Sequence, residues 1–162
     1  MKRLKGVFEA AGMQDVRTYI NSGNVVFGYE KMNTQVLADK LERAIEHEFG
    51  FPVPTIVRSE QEMSETVGVI ENEWLNDADM KCDILFLWNS LSATDLIAQL
   101  RPRDEIDSVR TVPGAIIWKV DRANAGRSGL MRIMGTPEYK QVTVRNCNTV
   151  RKLLSMLEKQ VS

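Results

Sequence analysis

Arg17-Thr18-Tyr19-Ile20-Asn21-Ser22-Gly23-Asn24-Val25-Val26-Phe27 sets the fold class of this chain. Two runs rich in β-branched and aromatic residues, Val16–Ile20 and Asn24–Gly28, flank a polar corner. A short glycine-containing loop between two such runs predicts a β-hairpin, with Gly23 supplying the positive φ of the corner. Before the hairpin, Leu4, Val7, Phe8 and Ala11 recur at helical spacing, and Gly12 stops the helix. After it, a helix from Asn33 or Thr34 carries Leu37, Leu41, Ala44, Ile45 and Phe49 on one face and ends at Gly50. Pro54–Arg58 reads as the next strand, and the Ser59/Glu62 capping-box pattern opens a short helix to about Val67.

An acidic connector around Asn76–Asp79 leads to Cys82–Trp88, the most apolar run in the chain and a buried strand by pattern. Ser92 with Asp95 opens a helix through Leu100. Strands Val109–Val112 and Ala115–Asp121 follow around the turn dipeptide Pro113-Gly114. A short helix over Arg127–Met134, a strand Gln141–Arg145 and a final helix carrying Val150, Leu153, Leu154, Leu157 and Val161 complete the order. The halves read α-β-β-α-β-α and β-α-β-β-α-β-α. The expected fold is therefore α+β: two ferredoxin-like βαββαβ halves, the first lacking its first strand, with a C-terminal helix. The expected boundary puts residues 1–78 in the first half and 79–162 in the second. A missing central strand leaves ladder positions open, so a homodimer through the open first half is one expectation.

The 162 residues suffice for a real core, and 43% hydrophobic with 27% charged residues is ordinary for a globular protein. A net charge of −1 supplies no global field for nucleic acid or an anionic membrane, so any such binding must rest on a local patch. One histidine, His47, and two cysteines, Cys82 and Cys147, cannot assemble a usual zinc ligand set, and no metal or cofactor is expected. The basic start Met1-Lys2-Arg3 lacks the apolar run of a signal peptide, and no stretch approaches the roughly 20 apolar residues of a membrane-spanning helix. A cytoplasmic protein with reduced thiols is the expectation.

Thr18–Phe27 resembles the signature of a bacterial family, the domain of unknown function 1697. Val142-Thr143-Val144-Arg145-Asn146-Cys147-Asn148-Thr149-Val150 with Leu153 is similar to that family's second signature, and Phe49–Pro54 is similar to it as well. The resemblance implies two ferredoxin-like halves and no known reaction. The family usually has tryptophan at Cys147, and a further strand and glycine-rich loop before the helix at Met1. A start placed too late is expected on that ground.

Three corners gather donors suited to an anion. Asn21-Ser22-Gly23-Asn24 presents amides and a hydroxyl, against the simpler reading of a hairpin turn. Arg145-Asn146-Cys147-Asn148 lies at a strand-to-helix junction, where the helix dipole favours anions, with capping by Asn148 as the alternative. Asp121–Gly129 joins Arg122, Arg127 and Ser128 to two glycines, with Lys119 and Arg132 nearby. The candidate ligand-binding residues are thus Arg127, Ser128, Arg145 and Asn146, with Asn21 and Ser22 as a second site. Dinucleotide and Walker spacings are absent. Cys82 reads as an inert core thiol. Cys147 is the better reactive candidate, beside Arg145 at a helix start. Asp77, Asp79 and Asp83 bind a hard cation only if they converge. Met131 and Met134 read as helix packing, and Trp118 as core or as a base-stacking platform. These features point to binding of a small anionic ligand or a nucleic-acid backbone. An enzyme acting on a phosphorylated metabolite and a strand-exchanging assembly module stay open beside it.

Overall fold

A computed structural model describes residues 1–20, 23–30, 32–88 and 90–160. The chain forms two compact units, Met1–Glu60 with the segment from Leu153 onward, and Gln61–Lys152.

In the first unit, helix α1 (Lys2–Ala10) leads to a hairpin of β1 (Gln14–Tyr19) and β2 (Asn24–Gly28), antiparallel with Arg17 opposite Val26 and Tyr19 opposite Asn24. A bulge between Gln14 and Arg17, with Asp15 at φ +47, sets Val16 into the core. Gly23 adopts φ +82. Helix α2 (Thr34–Phe49) starts where the Asn33 side chain accepts from the Gln35 amide and ends at Gly50 in the left-handed region. Phe8, Met13, Val16, Leu37, Leu41 and Ile45 form the core, and the Phe8 and Phe27 rings meet edge to face at 5.5 Å. The other face of the hairpin, carrying Arg17 and Val26, is braced by an Arg17 hydrogen bond to the Met156 carbonyl at 2.6 Å.

Residues 52–59 form no strand. The Thr55 amide donates to the Glu42 carboxylate at 2.7 Å and the Thr55 hydroxyl to the Val53 carbonyl, so local side-chain bonds replace a ladder there. Among the described residues the sheet of this unit has two strands.

The chain enters the second unit in α3 (Glu60–Gly68) and continues through β3 (Met80–Leu87), α4 (Ala93–Leu100), β4 (Asp107–Val112), β5 (Ala115–Asp121) and β6 (Val142–Asn146). The strand order β4-β5-β3-β6, all antiparallel, is the ferredoxin-like one, with β3 central as its apolar sequence requires. Leu85, Leu87, Leu96, Leu100, Ile116, Trp118, Leu130 and Ile133 pack on one face of this sheet. Gly114 turns the β4–β5 hairpin at φ +82.

Between β5 and β6 the expected helix is replaced by three 3₁₀ turns, Arg122–Arg127, Gly129–Gly135 and Pro137–Gln141. Frequent glycine and Pro137 oppose a longer helix. Met131 and Met134 are exposed rather than packed, at 61% and 72%. The final helix α5 (Cys147–Gln160) follows β6 without a loop. Among the described residues no helix is long and apolar enough to cross a membrane.

Candidate functional site

The residues singled out in the sequence occupy separate environments. Asn21 and Ser22 lie outside the described residues. Ser128 is buried: its hydroxyl donates to Asp107 Oδ1 at 2.6 Å and accepts from the Leu130 amide at 3.1 Å. The same carboxylate accepts from Trp118 Nε1 at 3.0 Å and from the Gly129 and Arg103 amides at 3.0 and 2.8 Å. Burial pushes the Asp107 carboxyl up, but these four donors outweigh it and hold the group below the ordinary carboxylate range. Gly129 is obligatory at this point, because a Cβ would stand 2.7 Å from the Leu100 carbonyl oxygen. Ser128 therefore works inside a buried polar hub, while the adjacent Arg127 is exposed. Trp118, fully buried and bonded to Asp107, offers no stacking platform.

Arg145 and Asn146 are consecutive on β6, so their side chains leave opposite faces of the sheet. Burial draws the Arg145 guanidinium below its usual range, and one of its nitrogens donates to the Val144 carbonyl. Asn146, not Asn148, caps α5 by accepting from the Thr149 amide at 3.0 Å. Asn148 instead donates to the Asn76 carbonyl at 2.8 Å. Asp77 accepts from the amides of Asp79 and Met80, which lower its carboxyl pKa, and Asp83 pairs with Lys81. No cluster suited to a metal ion occurs among the described residues.

Two arrangements escaped the sequence reading. In the first unit, Lys5 and Glu9 of α1, Asp15, Val16 and Arg17 of β1 and Lys159 of α5 line an open cleft of about 600 Å³. Its three bases come from three elements, and only the fold brings them together. In the second unit, Cys147 is fully buried against Cys82, with the Arg151 guanidinium 3.6 Å and the Trp74 carbonyl 3.7 Å from its sulfur. The cation that meets Cys147 is thus Arg151, one helical turn on, rather than Arg145. His47 is exposed at the end of α2 and takes part in neither arrangement.

Residues 1–118 match the model of a family described as proteins of unknown function, DUF1697. The chain belongs to the DUF1697 family. The match includes the Thr18–Phe27 signature and Cys82 and stops before β6, so Cys147 itself lies beyond it. A solved structure, described as that of the conserved bacterial protein SP0830 from Streptococcus pneumoniae, is similar to this DUF1697 chain. The TM-score is 0.81 at 22% identity, over 98% of this chain and 88% of that one. At that identity the likeness establishes the fold. No protein of curated function matches the chain.

Proposed function

We propose that this DUF1697 protein is a non-enzymatic cytoplasmic binding protein for a small anionic ligand. The observation that supports this reading is the cleft of the first unit, where Lys5, Arg17 and Lys159 outnumber Glu9 and Asp15. Arg17 is held in place by its bond to the Met156 carbonyl, so part of its ordering cost is already met before a ligand arrives. The excess of bases is only one, which favours a compact anion such as a phosphate ester over a long nucleic-acid backbone. The cleft is preferred to the Arg127, Ser128, Arg145 and Asn146 corner, because the Ser128 hydroxyl is committed to Asp107 and Arg145 and Asn146 leave opposite faces of β6.

Isothermal titration with inorganic phosphate, a sugar phosphate and a short single-stranded oligonucleotide tests the reading. The expected result is weak, salt-sensitive binding of the phosphate compounds that drops at least about tenfold in Lys5→Gln and Arg17→Gln, one charge-assisted contact being lost in each. Unchanged affinity in both variants, with loss in Arg127→Gln and Arg145→Gln, would return the site to the second unit. No heat with any of the three ligands sinks the proposal.

A second reading, a homodimer joined by strand addition, is favoured by one observation: among the described residues β1 and β2 pair only with each other. A two-stranded sheet is marginal alone, and a third strand on β2 would extend it. Native mass spectrometry across a dilution series decides, since a monomer at all concentrations removes this alternative.

A further inference from the structure

We propose that Cys82 and Cys147 form a redox site that a hydroperoxide closes to an intrachain disulfide. The β3–β6 ladder runs from Leu87 opposite Val142 to Asp83 opposite Asn146. Cys82 and Cys147 flank that last pair, Cys82 on β3 and Cys147 as the first residue of α5. Both cysteines are fully buried and free, and their thiols interact directly.

The two sulfurs are unequal. Interaction with Cys82 lowers the Cys147 thiol to about 7; burial opposes this, Arg151 assists and Asp83 counters it. Cys82 moves the other way, pushed up by Cys147 first and by burial second. The geometry agrees: the Arg151 guanidinium stands 3.6 Å from the Cys147 sulfur at the start of α5, so Cys147 is the attacking thiolate and Cys82 the resolving thiol. Cys147 sulfur attacks one peroxide oxygen, giving a sulfenic acid and releasing water or an alcohol once the leaving oxygen takes a proton. Cys82 sulfur then displaces the hydroxyl from Cys147 as a second water, leaving the S–S bond. The sulfur pair is oxidised by two electrons and the peroxide is reduced by two.

Access is through the segment over the thiols, residues 71–79, which contains neither helix nor strand. Side chains hold it down. Arg151 donates to the carbonyls of Trp74 and Glu71, Asn148 to that of Asn76, and Arg122 to that of Asp77. A cover fastened by side chains opens at lower free energy than the sheet beneath it. Arg122→Ala removes one fastener, the bonds to the Asp77 carbonyl and the Asn76 side chain, at a distance from both sulfurs.

The test is to treat the full chain with hydrogen peroxide, quench with an alkylating agent, and map peptides without reduction. The expected product is an intrachain peptide pair joining Cys82 to Cys147, with loss of two hydrogens per chain, reversed by a dithiol reductant. Arg122→Ala is expected to accelerate its formation several-fold. In Cys82→Ser, oxidation is expected to stop at a sulfenic acid on Cys147 that dimedone traps. Two free thiols after oxidation, or disulfides only between chains, would overturn the proposal. So would sulfinic acid on Cys147 with Cys82 still free in the unsubstituted chain. None of these readouts on the unsubstituted chain depends on a variant folding.

Discussion

Each unit contains a helix followed by an antiparallel hairpin, but the two hold their sheets by different means. In the second unit four strands satisfy one another, and β3 is bonded on both edges. Among the described residues of the first unit the hairpin has only its own ladder, and the α1–α2 core on one face and Arg17 on the other do what neighbouring strands do elsewhere. A complete sheet leaves its polar residues free to gather at one buried point, Asp107. A two-stranded one keeps an arginine at work on its surface, beside the cleft proposed as the ligand site.

The strongest way to break this comparison is Asp107→Ala. It orphans the Trp118 indole, the Ser128 hydroxyl and two backbone amides. Buried donors left without a partner make the expected loss about 4 kcal/mol in unfolding free energy. Hydrogen exchange should report that loss in β4, β5 and the Gly129–Gly135 turn. Equal loss in β1 and β2 would show that the units are one cooperative body and not two. Acid supplies a milder form of the same test. The folded Asp107 pKa is depressed, so its stabilisation is full above the unfolded carboxylate value, about 3.9, and fades as pH falls through the lower folded value. The Gly129 and Leu130 amides should lose protection over that acid range in the natural chain and show a smaller change in Asp107→Asn.

The counterpart in the first unit is Arg17→Met, which keeps an aliphatic stem over Val26 and removes the bond to the Met156 carbonyl. A charged donor to a carbonyl is worth about 1.5–3 kcal/mol, so the expected loss is about 2 kcal/mol, confined to the hairpin and the end of α5. A loss near zero would mean that the α1–α2 core alone holds the hairpin.

Local chemistry was legible and long-range juxtaposition was not. The Asn33 and Ser92 caps, the Gly23 and Gly114 turns and the apolar β3 run each announce themselves within a few residues, and the structure has them where expected. Pro54–Arg58 reads as a strand, with Val53 just before it and Val57 within it. They do pack on the core, but Glu42 captures the Thr55 amide, a competition invisible to periodicity. Ser128 reads as a ligand donor because its buried acceptor stands 21 positions earlier in the chain. Cys82 and Cys147 meet only through the β3–β6 register, and Lys5, Arg17 and Lys159 only once α1, β1 and α5 have folded.

The smallest expected effect sharpens what counts as support in the first unit. Arg3 Nε meets Glu48 Oε1 at 2.8 Å, but the two side chains are 62% and 44% exposed. Exposed pairs contribute a fraction of a kcal/mol because solvent screens them and two long side chains must be ordered. Arg3 also donates to the Glu48 carbonyl at 2.8 Å and lies over the Phe49 ring at 4.5 Å, and neither contact needs the carboxylate. Glu48→Gln is therefore expected to cost less than about 0.5 kcal/mol in denaturant unfolding and to change little with salt. A cost above about 1 kcal/mol would mean that this pair couples to the packing of α2, and that the first unit leans on surface charge where the second leans on a buried carboxylate.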